Sequence, residues 1–140
     1  MMPPAGRAGV DPHVGVPRRP GRLRLPSPPV SETIVPIFRG ADAREAAGSY
    51  ERLGFAVVGE HRFAPDLPLY LFLRRGDDVG LHLSEHTGDA TPGTLVHLYV
   101  GDVDAVSAEF GVPVSTQPWA REVELTDPDG NRLRVGQVAA

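Results

Sequence analysis

The chain has 140 residues, with 14 basic against 18 acidic side chains and no cysteine, a length that suits one domain or two small repeats. The lack of cysteine excludes a disulfide framework, a thiolate zinc site and a cysteine nucleophile. No apolar run approaches the roughly 18 residues that span a bilayer, and the N-terminus lacks the apolar block of a signal peptide. We therefore expect a soluble cytoplasmic protein without a membrane partner.

Charge and composition divide the chain in two. Residues 1–30 hold eight prolines, four glycines and five arginines against one acidic residue, Asp11, a composition that predicts a disordered tail. Residues 31–140 hold nine arginines against 17 acidic residues, a formal charge of −8. An acidic domain repels phosphate groups, so we expect no nucleic-acid partner.

The first half of the predicted domain reads as one helix among four strands. Residues 33–38 form a β-branched run that predicts a strand, in which Pro36 favours an edge position. Asp42 is a typical helix N-cap with Glu45 three residues later, and Gly54 ends the helix. Three further strands are predicted at residues 55–63, 69–74 and 79–84.

The same order then repeats. Residues 94–100 predict a strand, Asp102 a helix N-cap and Gly111 the helix end. Three strands follow at residues 112–115, 121–126 and 132–136. The duplication predicts an α+β fold, in which two βαβββ modules at about residues 31–86 and 92–138 form curled mixed sheets around a groove, preceded by the disordered tail.

Four segments carry a family resemblance, over about residues 33–136. They are Val35-Pro36-Ile37, Leu53-Gly54-Phe55, Gln-Pro-Trp-Ala-Arg-Glu at residues 117–122, and Asp-Pro-Asp-Gly-Asn at residues 127–131. The sequence resembles the vicinal oxygen chelate superfamily, and within it the bleomycin-resistance branch. That resemblance implies a homodimer with grooves between its subunits, which can exchange the first strand around Pro36.

Enzymes of this superfamily hold a divalent metal through four positions, which the resemblance maps onto Val35, His82, Leu95 and Arg134. Only His82 is a metal ligand, because Val and Leu offer no lone pair and a guanidinium repels a cation. We therefore expect no metal, no cofactor and no metal-dependent catalysis. Glu122 and Glu124 share one strand face and could act as acid and base, although a negative rim or a solvated face explains them better.

Trp119 is the single tryptophan, and its residue context allows either a core anchor or an aromatic plate for a flat ligand ring. The resemblance implies the plate, because the matching Trp of bleomycin-resistance proteins stacks on the bithiazole rings of the drug. Strand alternation sends His82, His97 and Tyr99 towards the groove. The remaining candidate ligand-binding residues are Phe63, Tyr70, Phe72, Glu122, Glu124, Arg134 and Phe38, of which Phe38 also suits a core position.

These features indicate a non-catalytic protein that binds and sequesters a cationic, bleomycin-type glycopeptide antibiotic. Its acidic residues would attract such a cation and raise the association rate. Two alternatives stay open. One is a lyase, transferase or dioxygenase of the same fold, and the other is a binding module for another small metabolite, since fold alone does not set function.

Overall fold

The computed structural model describes residues 6–7, 9–10 and 32–139. Within the predicted tail, the short strands β1 (Gly6–Arg7) and β2 (Gly9–Val10) pair antiparallel. The prediction of a disordered tail otherwise falls on residues outside the described ones. In residues 32–139 neither helix is long and apolar enough to cross a bilayer.

The first module has the predicted βαβββ order. It consists of β3 (Ile37–Arg39), α1 (Ala43–Arg52), β4 (Ala56–His61), β5 (Tyr70–Arg75) and β6 (Val79–Ser84). The strands form a mixed sheet in the order β3-β6-β5-β4, in which β3 runs parallel to β6 and the other pairs are antiparallel.

The second module repeats this topology. It consists of β7 (Leu95–Tyr99), α2 (Val103–Phe110), β8 (Ser115–Thr116), β9 (Arg121–Thr126) and β10 (Arg132–Gln137). Its sheet has the order β7-β10-β9-β8, with β7 parallel to β10. The predicted fold class of two βαβββ modules with mixed sheets is confirmed.

Both helices begin and end at the predicted signals. At the start of α1, the backbone N–H of Glu45 donates to Oδ1 of Asp42 at 3.1 Å. At the start of α2, the backbone N–H of Ala105 donates to Oδ1 of Asp102 at 3.0 Å. Gly111 ends α2 in the left-handed conformation, at φ 66°, which glycine adopts without a Cβ penalty.

A second cap joins each helix to the last strand of its own module. Glu85, directly after β6, accepts the N–H of Ala43 at 2.9 Å with Oε2 and that of Leu69 at 3.0 Å with Oε1. Gln137, at the end of β10, accepts the N–H of Val103 at 2.9 Å. These bonds satisfy first-turn donors that have no partner within the helix.

Three strands differ by two or more residues from those predicted, and the strand predicted at residues 112–115 is confined to Ser115–Thr116. The first strand is confined to Ile37–Arg39, because Pro36 cannot donate to the ladder, although its carbonyl accepts the N–H of His82 at 3.0 Å. The second strand ends at His61, so Phe63 lies in the loop before β5. A register shift between Val57 and Gly59 interrupts the regular pairing in the first half of β4.

The core lies between the sheets and the helices. Alternate strand residues face the helices and are buried, among them Leu71, Leu73, Leu81, Leu83, Val123, Leu125, Leu133 and Val135. The two helices contact each other, since Arg52 pairs with Glu109 at 2.9 Å and its guanidinium lies 4.4 Å from the centroid of the Phe110 ring. The buried residues of both modules form one hydrophobic cluster, so the helix-covered faces meet inside the molecule and each sheet keeps an open face on its other side.

The turn at residues 127–131 connects the modules. Asp129 Oδ1 accepts the N–H of Ala41 at 2.8 Å, and the Asn131 side-chain amide donates to the carbonyl of Arg39 at 2.9 Å. The buried Asn131 also accepts the N–H groups of Gly93 and Thr94, both at 3.1 Å. This network fixes the position of the second sheet relative to β3 and α1.

Candidate functional site

The open face of the second sheet carries a cavity of about 340 Å³. It lies over β9 and beside the turn that leads into that strand. Apart from Val123, the residues around it are polar or aromatic, and they are Ser115, Gln117, Trp119, Glu122, Glu124 and Arg134. Four of these six are predicted ligand-binding residues, and the cavity brings them together.

Trp119 lies on the turn between β8 and β9, which the N–H of Gln117 closes by donating to the carbonyl of Ala120 at 2.8 Å. Its side chain is 46% exposed, which is inconsistent with a core anchor. The indole Nε1 donates a 2.6 Å hydrogen bond to Glu122 Oε2. A half-exposed ring with a satisfied N–H can offer its flat face to a planar ligand.

Glu122 is only 7% exposed, although the sequence suggests a solvated acidic rim. Besides Trp119, its Oε2 lies 3.6 Å from Nε2 of His97. The ring of His97 packs on that of Tyr99, with centroids 4.4 Å apart. Burial lowers the pKa of His97, the charge of Arg134 lowers it further, and the charge of Glu122 opposes both.

Glu124 is bound by two arginines of β10. Its Oε2 accepts from Arg132 at 3.1 Å and its Oε1 from Arg134 at 3.4 Å. The hydrogen bond from Arg132 is the main cause that holds the pKa of Glu124 below its ordinary value. The two arginines offset this carboxylate, so the acidic field predicted over the groove is weaker than the count of acidic residues suggests.

The open face of the first sheet carries a second, aromatic group. Tyr70, Phe72 and His82 lie on the adjacent strands β5 and β6, and the His82 ring centroid lies 5.2 Å from that of Tyr70 and 4.8 Å from that of Phe72. Phe72 and His82 are directly paired across the strands. The predicted orientation of His82, away from the buried Leu81 and Leu83, agrees with the structure.

The Tyr70 hydroxyl lies 2.8 Å from His82 Nδ1. Burial raises the pKa of Tyr70, helped by the charge of Asp89, while burial lowers the pKa of His82. The two groups therefore share one hydrogen bond, whose donor is set by the tautomer of His82. In the tautomer in which Nδ1 accepts, Nε2–H is a donor that faces the open side.

Two aromatic candidates lie elsewhere. Phe38 is 0% exposed and packs on Tyr50 of α1, with ring centroids 6.1 Å apart, so the prediction that it contacts ligand is wrong. It is the central residue of a three-residue strand whose other two side chains face the open side. Phe63 is 74% exposed and contacts the ring of His61 edge-on at 4.5 Å, away from the cavity.

The predicted site residues thus form two groups, one on each sheet. Among residues 32–139, no hydrogen bond or ring contact joins Tyr70 and His82 to Trp119 and Glu122. Sequence reasoning missed Ser115, Gln117 and Arg132. Gln117 had a usable signal, because it belongs to the same short motif as Trp119.

The positions that bind a metal in enzymes of this fold do not fit a cation here. Leu95 and Arg134 lie on the open face of the second sheet, and Arg134 is bound to Glu124. His82 uses one ring nitrogen to bind Tyr70. Within residues 32–139, no three His, Asp or Glu side chains lie close enough together to hold a metal ion.

Residues 29–139 match the family model described as glyoxalase superfamily protein. The chain belongs to the glyoxalase superfamily. The suspected relationship to the vicinal oxygen chelate proteins is confirmed for most of the chain. No curated protein sequence matches this superfamily member.

Solved structures resemble this glyoxalase-superfamily chain over the whole of their own length. An antibiotic-binding protein, TnmS3 of Streptomyces sp. CB03234, is 26% identical over 81% of this chain and all of its own, with a TM-score of 0.66. A bleomycin-binding protein in complex with bleomycin is 25% identical over 78% of this chain and all of its own, at 0.58. A bleomycin resistance determinant of transposon Tn5 is 25% identical over 79% and all of its own, at 0.60.

Proposed function

We propose that this protein binds a bleomycin-type, cationic antibiotic and sequesters it without turnover, in keeping with the ligand of the bleomycin-binding relative. The observation that carries the proposal is the half-exposed Trp119, held against Glu122 at the edge of a 340 Å³ cavity. A planar ring stacked on an indole gains dispersion and quadrupole energy without a chemical step. The poor fit of Leu95 and Arg134 to a metal further supports a non-catalytic role.

We infer that the binding unit is a homodimer. The two groups of candidate residues lie on the open faces of different sheets of one chain, and the opposite faces of those sheets share one buried core. In a dimer, one copy can place Tyr70, Phe72 and His82 of its first sheet opposite the Trp119 cavity of the other copy. Ile37 and Leu95, on the open faces, are each 39% exposed and would be covered in such an assembly.

The test is a titration of the purified protein with bleomycin, followed by calorimetry and by the fluorescence of Trp119. We expect the emission to be quenched or shifted, and to saturate at one ligand per chain. Trp119→Ala should weaken binding by about 1–3 kcal/mol, or roughly 5- to 150-fold in Kd, with little loss of folding stability.

Leu67→Ala is the matched control, because Leu67 is an exposed apolar residue outside the cavity, in the loop between β4 and β5. Its affinity for bleomycin should equal that of the wild type. A wild-type protein that gives neither heat nor a fluorescence change with bleomycin would contradict the proposed ligand. Turnover of the compound would favour the enzymatic alternative.

A further inference from the structure

An indole on an exposed turn is ordinarily free to change rotamer. At Trp119 the ring has one polar atom, Nε1, and that atom is bound by Glu122 Oε2 at 2.6 Å. The two residues are three apart, so the bond links the turn to the second position of β9. The orientation of the indole therefore depends on a carboxylate rather than on packing from all sides.

The carboxylate itself is held in place. Glu122 pairs with Ser115 on one side and with Gly136 on the other, inside the sheet. A Cβ at position 136 would lie 3.4 Å from Cγ of Glu122 and 3.2 Å from Nε2 of His97. Because Gly136 has no side chain, it leaves room for the side chain of Glu122. On the same side, Nε2 of His97 lies 3.6 Å from Oε2 of Glu122.

A buried carboxylate is costly unless its oxygens are bonded, and a hydrogen bond to a charged acceptor is stronger than one between neutral groups. Placed at 7% exposure, Glu122 has little surface left for a ligand to touch. Its neighbour Glu124 shows the contrast, because it is exposed and bound to Arg132 and Arg134. The two carboxylates on one strand face therefore have different roles.

We propose that Glu122 is a positioning residue, which acts through the Trp119 indole to fix the ring in the orientation that receives the ligand. The proposal rests on the proposed function. A ring ordered before binding loses less conformational entropy when the ligand stacks on it, so the bond contributes to affinity without contacting the ligand. Removal of the acceptor should loosen the ring first and weaken binding as a result.

The experiment compares Glu122→Leu, which removes the acceptor, with Glu122→Gln, which keeps one oxygen in the same place. The first readout needs no ligand: near-UV circular dichroism and time-resolved anisotropy of the single tryptophan. We expect Glu122→Leu to lose the indole dichroism and to gain fast local ring motion, and Glu122→Gln to restore both. Glu51→Leu, an exposed helix substitution far from the cavity, is the matched control and should match the wild type.

The second readout is the Kd for bleomycin. Glu122→Leu should weaken it about 3- to 30-fold, with Glu122→Gln within about 3-fold of the wild type. Should Glu122→Leu fail to fold, benzothienylalanine in place of Trp119 removes the N–H while keeping the bicyclic ring, and it should weaken binding to a similar degree. Unchanged affinity in that variant would overturn the proposal.

The two proposals fail separately. If the wild type does not bind bleomycin, the proposed ligand is wrong, and the ring-order readout still decides the role of Glu122. If Glu122→Leu keeps wild-type dichroism and anisotropy, the positioning role is wrong whatever the protein binds.

Discussion

The hydroxyl of Tyr50 in α1 donates a 2.7 Å hydrogen bond to Oδ2 of Asp127, 77 residues later in the chain. Both side chains are buried, and Asp127 also accepts the N–H groups of Asp129 and Asn131. The bond joins the helix of the first module to the turn of the second. It couples the stability of the two modules.

Tyr50→Phe should lower the free energy of unfolding by about 1–3 kcal/mol, because it removes a donor from a buried carboxylate. Urea denaturation followed by circular dichroism measures the change. Tyr99→Phe is the control, since Tyr99 is half-exposed and lies on the open face. Equal stability of the Tyr50→Phe protein and the wild type would show that the bond contributes nothing.

The same tyrosine predicts a loss of stability in alkali. Burial, and then the hydrogen bond to Asp127, raise the pKa of Tyr50 far above its ordinary value of 10.0. The unfolded chain loses this proton first, so the contribution of Tyr50 is complete below pH 10 and declines as the pH rises further. Unfolding free energies at pH 8 to 11 should fall less steeply in Tyr50→Phe, and parallel curves would contradict the argument.

Glu85→Ala should destabilise the fold by about 1–3 kcal/mol, because two backbone N–H groups, of Ala43 and Leu69, lose their acceptor. Glu85→Gln keeps one acceptor oxygen and should lose less. Thermal and urea unfolding provide the comparison. If the Gln variant is as unstable as the Ala variant, the negative charge of Glu85, and not its capping hydrogen bonds, stabilises the fold.

The purified protein should contain far less than one Zn, Fe, Mn or Ni per chain. Of the four positions that hold the metal in enzymes of this superfamily, Val35, Leu95 and Arg134 cannot ligate a cation. Only His82 can, and one protein ligand does not hold a metal tightly. Elemental analysis after extensive dialysis measures it. One tightly held metal per chain that disappears in His82→Ala would refute the prediction.

Light scattering of residues 31–140 at micromolar concentration should give the mass of a dimer. A pair of polar substitutions on the open faces, Ile37→Asp and Leu95→Asp, should shift the mass to that of a monomer if those faces are covered by a second copy. A wild-type monomer would remove the basis for a groove shared between subunits.

Periodicity and capping residues were enough to predict both modules, because Asp42, Asp102 and Gly111 act through local bonds. Phe38 was misplaced because the run at residues 33–38 is almost continuously apolar and gives no alternation from which to read its direction. The burial of Glu122 was not foreseeable from its own strand. It depends on Gly136 of β10 and on the Trp119 indole, and such cross-strand partners are known only once the register is fixed.

Alternation along β6 and β9 separates two sets of side chains, one that builds the core and one that lies on the open faces of the sheets. Mutations that alter recognition can therefore accumulate on the outer set while Leu81, Leu83, Val123 and Leu125 stay unchanged. A population of this protein selected against a new compound should acquire its first substitutions at open-face positions such as Phe72, His97 and Arg134. Such a scaffold can change the chemistry of its open faces without passing through unstable intermediates.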